Sequence, residues 1–161
     1  MRIGISQVHE FIKDVDLKFS PYDPDSYVTL LRTGQKDRAE VPEIVQEVWN
    51  KCAQIRDLTN GAFDPWAVKG GFDPSGFVKG WAADICADLM VKAGAEHVQI
   101  NAAGDLALRG GFLDTNSGEV TPWNIGVVNS DSKMETVKAF EITDGAIATS
   151  GDYEKGAHIT D

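Results

Sequence analysis

Cysteine is scarce in this 161-residue chain: Cys52 and Cys86 are the two present, far apart and outside any C-x-x-C spacing. That argues against a disulfide framework or a redox pair and leaves two free thiols on apolar positions of predicted helices. The three histidines, His9, His97 and His158, do not fall at metal-ligand spacing, which disfavours a zinc site. Positive charge is short as well. Fifteen Lys and Arg face 25 Asp and Glu, a formal net charge of −10, and no local basic cluster offsets it. Sequence-independent nucleic-acid binding needs phosphate neutralisation, so it is disfavoured. No stretch approaches the roughly 20 apolar residues of a membrane helix. The N-terminus runs from Met1-Arg2-Ile3 into charged residues by Glu10 and Lys13, without the apolar core or cleavage site of a signal peptide. A cytoplasmic location is the default expectation, with membrane association or export if an upstream leader was removed. Two nucleotide fingerprints are missing too. There is no G-x-G-x-x-G, and the Walker pattern fails because Phe77 stands where lysine is required.

The hydrophobic content of 42% and charged content of 25% are those of a soluble globular domain long enough to bury a core. Val8, Phe11, Ile12, Val15 and Phe19 recur at helical spacing and predict a helix over 5–19. Residues 20–26, with Pro21 and Pro24, predict a turn. A second helix is predicted over 42–58, with Pro42 in its first turn, a stripe of Ile44, Val45, Val48, Trp49, Cys52 and Ile55, and Asn60-Gly61 as terminator. Residues 61–77, rich in Gly, Pro and aromatics, read as a loop built for close contacts. A third helix runs from about Val78 to Ala93, with Ala82, Ile85, Cys86, Leu89 and Met90 inward and Gly94 after it. Strands follow at about 96–101, 105–109, 122–128, 137–142 and 145–149. Helices first and consecutive strands after them predict an α+β fold with a largely antiparallel sheet. No repeat or linker interrupts the chain, so 1–161 is expected to be one domain.

Several segments carry candidate chemistry. Ser75 to Gly80 opens the third helix, where free backbone N–H groups, the dipole and Lys79 suit a phosphate. The plain alternative is an ordinary helix start with an exposed lysine. Asp84, further along that helix, either accepts from ribose hydroxyls or faces water. Asn101-Ala102-Ala103-Gly104-Asp105 is a turn or a ligand-contact segment. Tyr22 either stacks on a planar ring or packs on the surface. Ala148-Thr149-Ser150-Gly151 supplies small residues and hydroxyls, which let backbone approach a ligand. His158 stands in a polar glycine-rich stretch, and the imidazole side chain suits a base or a ligand contact.

In their order these segments resemble the ApbE-type flavin transferases, the FAD:protein FMN transferase family. Phe19 to Ser26 resembles F-S-x-Y-x-x-x-S, and Thr59 to Pro65 resembles T-x-G-x-F-D-P. Asp73 to Asp84 is similar to D-L-G-G-I-A-K-G-Y-A-V-D, matching at Gly76, Lys79, Gly80, Ala82 and Asp84. Asn101 to Asp105 resembles N-A-G-G-D, and Ala148 to Tyr153 with His158 to Asp161 resembles A-T-S-G-x-Y followed by H-I-x-D.

The resemblance implies an ApbE-like α+β domain that binds FAD and Mg2+. It implies cleavage of the FAD pyrophosphate, passage of FMN to a threonine or serine of an acceptor protein, and release of AMP. Hydrolysis of FAD, or flavin binding without turnover, is the alternative. Among the residues, Tyr22 is implied to stack on the isoalloxazine, Lys79 and Gly76 to hold phosphate, and Asp84 to meet the adenosine side. Asp64, Ala103, Gly104, Asp105, Thr149, Ser150 and Gly151 are implied to line the cofactor cavity. His158 is implied as base or positioning group, and the Val78 backbone carbonyl as a metal ligand. The chain departs from the pattern in places. Ala103 replaces a glycine, adding a Cβ near the expected ligand wall, and Val78 replaces an alanine. The connection from Asp64 to Asp73 is short, and the D-P-x-T-G continuation is cut at Asp161. The domain is therefore expected to lack its C-terminal part and the remaining metal ligands, with weak metal binding and poor transfer in a chain ending there.

Overall fold

The computed structural model describes residues 2–68, 70–129 and 135–149. The contacts gather into two compact units, Arg2–Ala82 and Ala83–Asp161.

The first unit is helical. Helix α1 spans Arg2–Phe19, α2 Tyr27–Arg32 and α3 Glu43–Leu58, with a 3-10 turn at Arg38–Glu40, and α4 begins at Ser75. The short α2 and the 3-10 turn lack the repeated apolar spacing that marks longer helices, so the sequence pattern does not predict them. Helix α2 forms because Ser26 caps it. The Ser26 Oγ accepts from the Thr29 N–H at 3.2 Å and donates to the Ser20 carbonyl at 2.6 Å, which satisfies a fully buried hydroxyl. Pro42 sits one position before α3 as its N-cap rather than inside it. At the other end Asn60 (φ 51°) and Gly61 (φ 86°) turn left-handed, and the Gly61 N–H bonds the Arg56 carbonyl. The core collects Val15, Phe19, Val28, Val45, Val48, Cys52, Phe72 and Val78. Aromatic edges close it: Trp81 lies 5.8 Å from both Phe11 and Phe19, and Trp49 lies 5.1 Å from Trp66 and 4.4 Å from Phe72. Ile12, expected on the stripe, is exposed because it flanks the buried face.

Helix α4 spans Ser75–Lys92 and starts three residues before the predicted Val78. The Pro74 carbonyl already accepts from Phe77 and Val78, and an apolar-spacing criterion does not register such a first turn. Helix α4 is apolar on more than one side because it serves two cores, with Val78 and Ala82 in the first and Ala83 and Ala87 in the second. Gly94, at φ 91°, ends it as predicted, and the Ala95 N–H bonds the Met90 carbonyl.

Among the described residues the second unit carries seven strands, all paired antiparallel: β1 Val98–Ala102, β2 Asp105–Arg109, β3 Phe112–Leu113, β4 Val120–Thr121, β5 Trp123–Val128, β6 Thr136–Ile142 and β7 Gly145–Ile147. They form a sheet in the order β1-β2-β7 and two hairpins, β3-β4 and β5-β6. The two-residue strands β3 and β4 are too short to show alternation, which is why the pattern does not reveal them. Gly110 (φ 71°) and Gly111 (φ 67°) follow β2. A Cβ at Gly110 would stand 1.8 Å from the Glu96 carbonyl oxygen, so only glycine fits. His97 braces the same corner, its Nδ1 lying 2.6 Å from the Gly110 carbonyl and 3.1 Å from that of Gly111. Both partners are acceptors, so this nitrogen carries the proton. The apolar residues Ala83, Ala87, Val98 and Ala107 form a small core against the sheet, and Leu108 is fully buried.

Candidate functional site

In the second unit the turn between β1 and β2 and the end of β7 come together. The register runs from Val98↔Arg109 to Ala102↔Asp105, which leaves Ala103 and Gly104 as a two-residue turn with φ of 51° and 98°. Consecutive positive φ values match the twist of a tight hairpin. The Asn101 side-chain oxygen accepts from the Gly104 N–H at 2.9 Å and holds the turn shut. Strand β7 pairs with β2 at Leu106↔Ile147, and the same register brings Thr149 beside the turn. There the Thr149 N–H donates to Asp105 Oδ1 at 3.1 Å, and its hydroxyl reaches the Gly104 carbonyl at 3.5 Å. A cavity of about 240 Å³ opens at this junction, lined by Asn101, Gly104, Leu106, Ile125, Gly126, Val127, Val128, Ile147 and Thr149. Its floor is apolar, and its rim carries an amide, a hydroxyl and glycine backbone. A mostly apolar lining with a few polar groups is of the kind that small-molecule sites use. Ala103 is exposed and is not among the lining residues; its Cβ belongs to the turn rather than to the cavity wall.

The first unit holds Tyr22, Asp64, Gly76, Val78 and Lys79. Asp73 accepts from the Ser75 N–H (3.0 Å) and hydroxyl (2.5 Å), satisfying donors at the first turn of α4. Arg32 grips Asp73 Oδ2 at 2.7 Å and the Phe72 carbonyl at 3.0 Å. Gly76 lies against Phe63, where a Cβ would meet the ring at 3.3 Å. Val78 is buried and Lys79 half-buried. Asp64 is engaged from two sides, by Arg56 Nε at 2.9 Å and by the Trp66 N–H at 2.9 Å. Tyr22 is 94% exposed on the turn before α2, so the surface packing considered for it does not occur. Ser26, the last residue of its motif, is the buried cap described above.

Asp84, in the second unit, neither faces water alone nor stands unpaired. Arg109, from the end of β2, contacts Asp84 at 3.1 Å and Asp88 at 3.0 Å through Nη2, and Asp88 again through Nε at 3.1 Å. Burial works against the Arg109 charge, but the hydrogen bonds and charges of the two carboxylates outweigh it and raise its pKa. Among the described residues no group of three or more His, Cys, Asp and Glu is arranged to hold a metal ion. Nor is any helix among them long and apolar enough to cross a membrane. Ser150, Gly151 and His158 lie outside the described residues. Sequence reasoning missed Arg32, Arg56 and Arg109, and named Asp73 only as the start of a motif. The arginines stand outside every motif, and only the fold brings them to the motif carboxylates.

Comparison with known proteins bears on this arrangement. The model of the ApbE family matches residues 66–160. A curated FAD:protein FMN transferase of Vibrio cholerae serotype O1 is 34% identical over 82 residues, which is 50% of this chain and 23% of that protein. Among solved structures, the ApbE protein of Thermotoga maritima superposes with a TM-score of 0.79 at 23% identity, over 95% of this chain and 63% of its own. The flavin transferase ApbE of Vibrio cholerae superposes with a TM-score of 0.73 at 22% identity, over 99% of this chain and 66% of its own. The chain thus spans about a quarter of the curated relative and about two thirds of the solved structures. At these identities the superpositions show a shared fold.

Proposed function

The chain belongs to the ApbE family, and on that premise we propose that it serves the transfer of FMN from FAD to a threonine or serine hydroxyl of an acceptor protein, with release of AMP. One observation carries the reading to these residues. Two motifs 44 residues apart, at Asp105 and Thr149, are joined by a hydrogen bond beside a cavity of about 240 Å³ lined by Asn101, Gly104 and Thr149 among others. In the proposed step the acceptor hydroxyl oxygen attacks the phosphorus on the FMN side of the pyrophosphate. A new P–O bond forms, the bond to the bridging oxygen breaks, and AMP leaves with that oxygen. The hydroxyl proton passes to a base, for which His158 is the candidate. Phosphoryl transfer of this kind depends on positioning and on neutralising charge more than on covalent help.

The roles follow the resemblance. Lys79 is the cation assigned to the pyrophosphate. Tyr22, presented to solvent in the first unit, is the residue that the resemblance assigns to the isoalloxazine. Asn101, Gly104, Asp105 and Thr149 shape the cavity. Mg2+ belongs to this proposal through the resemblance alone. Among the described residues no cluster of three or more His, Cys, Asp and Glu is arranged for it, and no step is routed through it.

The test is a titration of the purified chain with FAD, with and without Mg2+, following flavin fluorescence and AMP together. Binding with Mg2+-dependent AMP release, and flavin left on an added acceptor protein, supports transfer. Binding without AMP release replaces transfer with flavin holding. No binding of FAD refutes both.

A further inference from the structure

We propose that Asp105 is a positioning residue that sets one wall of the cavity by fixing the end of β7, acting through Thr149; this rests on the reading that the cavity takes part of FAD. Asp105 is half-buried and is not among the residues lining the cavity, whereas Gly104 and Thr149 are. The register shows why a side chain is needed here. Strand β7 is three residues long, and its pairing with β2 ends at Leu106↔Ile147. Carried two residues further, the same register would set Thr149 opposite Gly104. The Thr149 N–H donates to Asp105 Oδ1 at 3.1 Å rather than to a backbone carbonyl of β2. A side-chain oxygen thus takes over where the ladder stops. An ionised acceptor makes the stronger kind of hydrogen bond for that task.

Two side chains divide the work at this junction. Asn101 closes the turn through the Gly104 N–H at 2.9 Å, so the turn does not depend on Asp105. Asp105 ties the neighbouring strand to the closed turn. Without it, Thr149 keeps the contact of its hydroxyl with the Gly104 carbonyl, which at 3.5 Å is long for a hydrogen bond. The wall formed by Ile147 and Thr149 is then in place in only a fraction of the molecules, and the apparent affinity falls by that fraction. This role needs an acceptor oxygen at one place and does not need a negative charge, which separates it from coordination of a cation.

The experiment measures FAD affinity of the 161-residue chain by flavin fluorescence, with and without Mg2+, for wild type, D105A and D105N, together with amide exchange at Thr149. One hydrogen bond of ordinary net strength changes an equilibrium by roughly 3- to 10-fold. D105A is therefore expected to bind FAD more weakly by about that factor, equally with and without Mg2+, and to exchange the Thr149 amide faster. D105N keeps an acceptor oxygen and loses the charge, and is expected to recover most of the lost affinity and the slow exchange. D105V, a good strand former without an acceptor, replaces D105A should the latter lose its circular dichroism. Undiminished affinity in D105A, a loss in D105N as large as in D105A, a loss seen only with Mg2+, or a loss without faster exchange at Thr149 each overturn the proposal while the functional reading stands. Failure of the wild-type chain to bind FAD overturns both.

Discussion

Ala103 is the residue at which the chain works against itself. It holds φ 51° in the turn between β1 and β2, where an L-residue with a Cβ crowds its own carbonyl. That conformation costs about 1–2 kcal/mol relative to a right-handed one. Glycine there relieves the strain but adds about 0.4–1 kcal/mol of freedom to the unfolded chain. The difference predicts that Ala103→Gly stabilises the protein by about 0.5–1 kcal/mol, and Ala103→Asn by a similar amount, since asparagine tolerates the left-handed region with less unfolded-state entropy. For a chain of this size such a gain raises the melting temperature by about 1–4 °C. Thermal melts and urea unfolding by circular dichroism give the overall value. Amide exchange at Asn101 to Leu106 shows whether the gain lies in the hairpin. Because Ala103 does not line the cavity, FAD affinity should not move. A neutral or destabilising Ala103→Gly, or stabilisation without slower exchange in these amides, refutes the argument.

Three further outcomes follow from the geometry. Gly110→Ala places a Cβ against the Glu96 carbonyl at an impossible 1.8 Å and should destabilise by more than about 3 kcal/mol, read by urea unfolding. Burial pushes the Cys52 thiol from 9.0 up to about 12. Its contribution to stability is complete below pH 9 and is lost as pH rises toward 12, because the unfolded thiol ionises first; a pH series of unfolding midpoints for wild type and Cys52→Ala checks the sign. Thiol labelling of the native chain at pH 8 should accordingly be slow at Cys52 and fast once it is unfolded. Arg109→Ala leaves Asp84 and Asp88 as like charges one helical turn apart, and should cost about 1 kcal/mol, since both carboxylates are half exposed. Most of that loss should return in Arg109→Ala with Asp88→Asn.

Much of the architecture was legible in the sequence because long elements write their period into the chain. Helices α1, α3 and α4 and strands β1, β2, β5, β6 and β7 each fall within a few residues of the predicted segments. The order of helices before strands implied the α+β class, and Gly94 and Asn60-Gly61 mark helix ends as their left-handed backbones require. What escaped was short or two-sided. The six residues of α2 depend on one buried serine cap, and β3 and β4 exist only as each other's partner. The inward face of α4 was drawn as one stripe, whereas Val78 and Ala82 serve one core and Ala83 and Ala87 another.

The site divides along the same physical line. Motif spacing locates a residue along the chain, and antiparallel register then settles which motifs meet, as Thr149 meets Gly104 and Asp105. Spacing carries no information about what neutralises a motif carboxylate. Asp64, Asp73 and Asp84 are each held by an arginine, at separations of 8, 41 and 25 residues. The consequence bears on function in a chain of net charge −10. A pyrophosphate-bearing substrate, as proposed for this chain, is repelled by its net charge, so its approach depends on the local balance. In the first unit Arg56 and Arg32 cancel the two motif carboxylates, and in the second Arg109 offsets one of the two it touches. Raising ionic strength weakens the long-range repulsion more than these short, partly buried pairs. FAD binding by the wild-type chain should therefore hold or improve slightly as salt rises from low to moderate concentration. A steep loss of affinity with salt would mean that exposed positive charge dominates recognition, and would refute this account of how so acidic a chain admits an anion.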